Sequence, residues 1–274
     1  MRVSLVVTLY KDLEALELIL EALKRQTYQD FEVIVAEDCE AEETESFLAN
    51  YKGLEIVHVH HEDVGRTKTT IQNKAVCQSS GEYLIFIDGD ILPFSTFIEY
   101  QVAVARPKQV MSGRRVNLDE KISRQIREKR LSAYDIEKNY FWYALKFMLK
   151  KEVRFEQGFS VDPRGYIYQN ILKKRARNAN IIGCNWSCFK EDFVAINGFD
   201  ESYGLSCLGD DTDLDWRFRA SGCTLVSSKN IANVFHLWHE DKREHYDATQ
   251  EVKWYKQRQK DNTYYCEHGM DRYC

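Results

Sequence analysis

Apolar runs of strand length alternate with segments of helical periodicity through the first ninety residues, and this alternation limits the fold more than any other feature of the chain. Val3 to Thr8, Phe31 to Ala36, Leu54 to Val59 and Tyr83 to Ile87 read as strands, rich in β-branched and aromatic residues. Between them, Leu13 to Gln26 places Leu16, Ile19, Leu20 and Leu23 on one helical face, and further helices are predicted over Glu42 to Tyr51 and Lys68 to Gln78. Strand and helix in alternation require a mostly parallel sheet with helices on both faces, an α/β architecture of Rossmann-like type.

In such a sheet ligands sit at the carboxyl ends of the strands. The residues there are Thr8-Leu9-Tyr10, Glu37-Asp38 and Asp88-Gly89-Asp90, so they are expected to face one crevice. A buried run ending in two carboxylates around a glycine is costly unless something cationic joins them. Ile91-Leu92-Pro93 does not read as a returning strand, which argues against a hairpin at this "DGD". Residues 1 to 52 contain no glycine, which excludes the glycine-rich phosphate cradle of dinucleotide folds and nucleotide triphosphatases after the first strand. A nucleotide in this crevice would need a divalent cation on the aspartates to neutralise its phosphates.

The length suits one domain of two lobes, and no apolar run approaches the roughly 18 to 20 residues of a membrane span. The start lacks the pattern of a secretory signal, so the expectation is a cytosolic protein whose eight cysteines are reduced thiols. Cys184 and Cys188 with His236 and His239 make only a weak zinc pattern, without a second close pair. The net charge of -5 hides an asymmetry, because residues 106–177 hold 19 Lys/Arg against 8 Asp/Glu, interleaved with Phe141, Trp142, Tyr143, Phe147 and Phe155. Such a segment suits an anionic glycan, a lipid headgroup or nucleic acid, and a solvated helical face accounts for it equally well.

Six segments in order, "VVTLY", "FEVIVAED", "NKAVCQSSGEYLIFIDGD", "NGFDESYG", "GDDTDLDWR" and "HLWHED", resemble the family 2 glycosyltransferases of GT-A fold, the bacterial polysaccharide and lipopolysaccharide enzymes most of all. The resemblance covers roughly residues 1–105 and 181–241. It implies a single GT-A domain over 1–274: a nucleotide-sugar lobe over 1–105, an acceptor and catalytic lobe over 106–240 with a helical basic insertion, and a helical tail over 241–274. It implies that Tyr10 and Asp38 cradle the base, with Thr8 adding a polar contact; a ring stacks on a flat pyrimidine and a carboxylate accepts an imide N–H. Without the resemblance, a surface turn explains Tyr10 and a helix N-cap explains Asp38 equally well.

Asp88 and Asp90 match the family's DxD, the first near ribose and the last on Mn²⁺ or Mg²⁺, with Gly89 allowing close backbone approach. By the same resemblance His236 and His239 are the candidates for the further metal ligand, with His239 preferred because an acidic residue follows it and His236 expected to be the hydrogen-bonded core residue of the two. Asp211 matches the general base, with Asp210 beside it; two adjacent carboxylates resist joint ionisation, which raises the proton affinity of one. Asp213 and Asp215 are expected on the helix surface or at its cap. Asn185 and Trp186 fall where relatives touch sugar and acceptor, although packing alone accounts for Trp186 as well. Arg66 and Asn73-Lys74 correspond to positions near the nucleotide.

The implied activity is metal-dependent inverting transfer from a nucleotide-diphosphate sugar, UDP by family habit, to a hydroxyl of a glycan or lipid-linked acceptor in bacterial surface polysaccharide synthesis. The implied setting is the cytoplasm, with contact to the anionic inner face of the plasma membrane, and no nucleic acid partner is expected. A sugar-phosphate nucleotidyltransferase is disfavoured by the missing glycine-rich loop. A noncatalytic glycan or nucleic-acid binding protein is disfavoured by the presence of Asp38, Asp90 and Asp211 together.

Overall fold

A computed structural model describes residues 1–65, 67–175, 177–240 and 247–274. The predicted alternation is present: β1 (Val3–Leu9), α1 (Leu13–Leu23), β2 (Phe31–Glu37), α2 (Glu42–Asn50), β3 (Ile56–His60), α3 (Lys68–Gln78) and β4 (Tyr83–Asp88). These four strands run parallel in the order β3-β2-β1-β4. Val3, Leu5, Val7 and Leu9 pack beneath Leu16, Ile19 and Leu20 of α1, while Val6 turns to Ile71, Ala75 and Val76 of α3 on the other face. Both faces are therefore dry, as a parallel sheet requires.

α1 starts at Asp12, whose carboxylate accepts from the Ala15 N–H at 3.0 Å. It ends three residues before Gln26 because that side chain has a tertiary role: it is buried, donates to the Phe94 carbonyl at 2.8 Å and accepts from the Ile98 N–H at 3.1 Å. β3 starts at Ile56 rather than Leu54, where its pairing with Val33 begins.

Ile91–Pro93 does form a strand, β5, but in a second sheet. It is followed by α4 (Phe97–Val104), β6 (Gln109–Ser112), β7 (Val116–Asn117), α5 (Glu120–Arg127), α6 (Ala133–Lys138) and α7 (Tyr140–Phe147). The basic segment thus supplies strands as well as short helices. Next come β8 (Asn185–Phe189), α8 (Lys190–Val194), α9 (Thr212–Ala220), β9 (Thr224–Ser227), β10 (Val234–His236) and α10 (Thr249–Asp261). β8 joins β4 antiparallel, and β6 and β9 extend the large sheet to seven strands shared by both halves of the chain. The second sheet is β5-β10-β7, and its pairing sets Ile91 opposite His236.

The expectation of reduced thiols fails for one pair. Cys77 at the end of α3 and Cys274 at the chain terminus form a disulfide, their Cα atoms 5.3 Å apart, because the tail folds back over α3. Cys39, Cys184, Cys188, Cys223 and Cys266 are free and buried. Among the described residues no helix is long and apolar enough to cross a membrane.

Candidate active site

The carboxyl ends of β1, β2 and β4 lie side by side, with Thr8 in register with both Ala36 and Asp88. Gly89 makes this possible: a Cβ there would lie 2.8 Å from the Thr8 carbonyl oxygen, so only glycine lets the turn press against β1. Thr8 Oγ1 accepts from Gln72 at 2.8 Å. Tyr10 is 53% exposed, its ring open to a ligand and its hydroxyl 3.3 Å from Asp63.

Asp38 is not a helix cap; α2 is preceded by Ala41 and has no side-chain cap. Its carboxylate instead fixes the loop before α3. Oδ1 meets His61 Nε2 at 2.8 Å and accepts from Thr67 Oγ1 at 2.6 Å, and Oδ2 accepts from the Thr67 N–H at 2.9 Å.

Beyond β4 the backbone of Asp90 accepts from Leu237 N–H at 2.9 Å, which seats the two histidines over its side chain. Asp90 Oδ2 is 3.1 Å from both His236 Nε2 and His239 Nε2. His236 is thus part of the cluster and not a core residue apart from it. Burial pushes Asp90 up, but hydrogen bonds from the two imidazoles outweigh it and hold the carboxyl well below the usual range. The hydrogen bond to Asp90 raises His239 to about 9, against its partial burial.

One ligand atom from each of these three residues lies within 4.8 Å of the others, and Asp90 Oδ1 is buried without a hydrogen-bond partner among the described residues. A carboxylate and two imidazoles converging on one point fit a divalent cation. Cys184 and Cys188 are not in this cluster, and burial, with Asp88 adding to it, pushes the Cys184 thiol up to about 12. That removes the zinc pattern.

The other half of the crevice is organised by Lys68, which sequence reasoning missed. Its Nζ lies 2.8 Å from Asp88 Oδ1 and 2.8 Å from Asp210 Oδ2. Burial would lower its pKa, yet the two carboxylates raise it. Asp88 is itself raised, by burial first and by its acidic neighbours, against the pull of Lys68. Gly183 allows Asp210 in: a Cβ at that position would lie 2.7 Å from Asp210 Oδ1.

Asp211 occupies the N-cap position of α9 without capping it; its carboxylate accepts from Thr212 Oγ1 at 3.2 Å. Burial and then Asp210 raise its proton affinity. Thr67 and Lys68, adjacent in sequence, therefore tie Asp38 to the Asp88–Asp210 pair, and this pair feels the charge of Asp90 on one side and adds its own to Asp211 on the other.

Other expectations need correction. Asn185 is fully buried and spends its amide N–H groups on the Arg114 and Ala232 carbonyls, both at 3.1 Å. Trp186 is also buried, stacked on Phe86 at 4.2 Å between ring centres. The "GCNWS" stretch reaches the crevice through Gly183, because a strand paired with β4 must turn Trp186 into the core. Asp213 is not at the surface but fully buried against Arg217 and the Tyr203 hydroxyl. Asp215 is half-buried and accepts from the Ile181 N–H at 3.0 Å. Asn73 is buried and binds the backbone of Phe199, and Lys74 points to His61. Arg66 lies outside the described residues.

The fold and the crevice at its strand ends define a glycosyltransferase of GT-A type. Residues 4–175 match the model described as glycosyl transferase family 2, and residues 166–240 match one described as the N-terminal domain of galactosyltransferase. The chain belongs to glycosyl transferase family 2. Glycosyltransferase AglE of Haloferax volcanii is 32% identical over 107 residues, which are 37% of this chain and 34% of the relative. The mannosyltransferase PcManGT of Pyrobaculum calidifontis, solved with GDP-Man and Mn²⁺, superposes at TM-score 0.58 with 17% identity over 88% of this chain and 58% of its own. S. aureus TarS 1-349 with UDP-GlcNAc gives TM-score 0.64 and 12% identity over all of this chain and 69% of its own. At such identities the likeness concerns the fold.

Proposed function

We propose that the protein transfers a sugar from a nucleotide-diphosphate donor, UDP-linked, to a hydroxyl of a glycan or lipid-linked acceptor in bacterial surface polysaccharide synthesis, with inversion at the anomeric carbon. The observation that carries this reading is the ion-paired trio Asp88–Lys68–Asp210, which is electrostatically coupled to Asp90 of the Asp90–His236–His239 group and to Asp211, a carboxylate of raised proton affinity.

Tyr10 stacks on the base. Asp38 already serves three donors, and a carboxylate offers about four acceptor sites, so one remains on Oδ2 for an imide N–H. Asp90, His236 and His239 would hold the metal, which when bound stabilises the charge of the departing diphosphate. Two imidazoles favour Mn²⁺ over Mg²⁺, which prefers oxygen ligands. Asp211 takes the acceptor's hydroxyl proton, and its raised affinity suits it to that role. Inversion requires this base and the leaving group on opposite faces of the sugar, so Asp211 is assigned to one face and the cation-binding end to the other.

The test measures release of nucleoside diphosphate from a panel of nucleotide sugars with Mn²⁺. Asp211→Asn is expected to lower kcat by about 10²- to 10⁴-fold with the fold intact. Normal turnover in that variant would remove the base assignment, and activity indifferent to chelator would remove the metal.

A further inference from the structure

α7 is apolar on two faces, and only one is used. Tyr140, Ala144 and Phe147 are buried in the core, and the Tyr140 hydroxyl donates to the Phe155 carbonyl at 2.6 Å. Phe141, Trp142, Leu145, Met148 and Leu149 fall at i, i+1, i+4, i+7 and i+8, the spacing of a second helical face. All five are exposed, from 46% at Leu145 to 91% at Leu149. Large apolar side chains grouped in this way on a protein surface mark a docking site.

The charge around the face selects the occupant. From Lys138 to Arg154 the sequence holds five basic residues and one acid, Glu152. Lys138, Lys146 and Arg154 are exposed and make no ion pair among the described residues, while the Glu137 carboxylate turns inward to the Ser95 N–H and hydroxyl. A second copy docking by two-fold symmetry would set this basic rim against itself. An anionic lipid surface complements both features: it attracts the lysines and accepts the Trp, Phe and Leu side chains at the headgroup boundary.

We infer that the exposed face of α7 and the turn that follows it, residues 141–149, form a membrane-docking surface that binds anionic bilayers in the interfacial plane. The turn after α7 sits beside the crevice, because Asn117 donates to the Glu152 carbonyl at 3.1 Å and pairs in register with His236. Docking therefore holds the cation-binding end of the crevice close to the lipid. The docking stands apart from the transfer reading; only its consequence, access to a lipid-linked acceptor, rests on that proposal.

Sedimentation with phosphatidylglycerol-containing and with pure phosphatidylcholine vesicles, each at low and high salt, tests it. The intact chain is expected to bind the anionic vesicles at low salt and the neutral ones several-fold less. Trp142→Ser with Leu149→Ser weakens anionic binding at least about tenfold, and Lys138→Gln with Lys146→Gln removes the preference for anionic lipid. Slow donor hydrolysis without acceptor stays unchanged in both variants, which separates loss of docking from loss of the site. Failure of the intact chain to sediment, or equal sedimentation of the apolar variant, would overturn the inference. So would a dimer in analytical ultracentrifugation that the apolar variant dissolves while vesicles capture neither form.

Discussion

Lys68 stands at the first position of α3, where a positive charge opposes the helix dipole, and no acid shares that first turn. The local cost is offset by Asp88 and Asp210, whose carboxylates would otherwise repel each other across the crevice. Lys68→Met removes the cation that Asp88 and Asp210 share in a partly exposed crevice and is expected to cost about 1–3 kcal/mol of stability. Lys68→Arg keeps the charge and restores most of it. The pH profile separates positioning from bulk stability. The base works deprotonated, and its raised proton affinity already puts the acid limb of kcat above that of an ordinary aspartate; Lys68 pulls the affinity of Asp211 down. Its loss moves that limb to higher pH, and an unmoved limb in a folded Lys68→Met variant would separate it from the base. An ill-placed lysine at a helix start was the signal available for Lys68 in the sequence. Asp38, Asp90 and Asp211 were legible because each ends or begins a recognisable element. That His236 shares the Asp90 carboxylate with His239, instead of standing apart in the core, was not, since it depends on which strand β10 pairs with.

At the scale of elements, the parallel half of the fold was readable from its alternation of apolar runs with helical segments, because β1, β2 and β4 are buried on both faces and rich in strand-forming residues. The second half was not. β6 and β7 are two to four residues long, and β5 contains a proline tolerated because it lies at the edge of its sheet. Short strands defined by their partners carry no periodic signal. β8 shows the same effect at Trp186, where pairing with β4 decides the direction of the side chain. Its stack on Phe86 predicts that Trp186→Ala costs about 3–5 kcal/mol, measured by urea unfolding, while Trp186→Phe costs less and leaves the acceptor KM unchanged. A raised KM in a stable Trp186→Phe variant would return this residue to the acceptor site.

Over the whole molecule, the disulfide closes a long loop, joining residues 197 apart. It fastens the C-terminal end of α3, the helix whose other end carries Lys68. The tail has further anchors: Tyr273 donates to Glu201 at 2.8 Å, and Asn197 donates to Asp271 at 2.9 Å. Asn73 independently holds α3 to the segment before α9 through Phe199 and Glu201. Closing so long a loop restricts the unfolded chain far more than it changes the native contacts. Cys274→Ser is therefore expected to lower unfolding free energy by about 2–4 kcal/mol while donor turnover stays close to the parent's. Reductant should lower the denaturation midpoint of the parent and leave that of the variant unmoved. Equal midpoints for both proteins before reduction would mean that the tail is held by its hydrogen bonds alone. A variant as stable as expected but impaired in turnover would mean that the disulfide, and not Asn73, sets the position of Lys68.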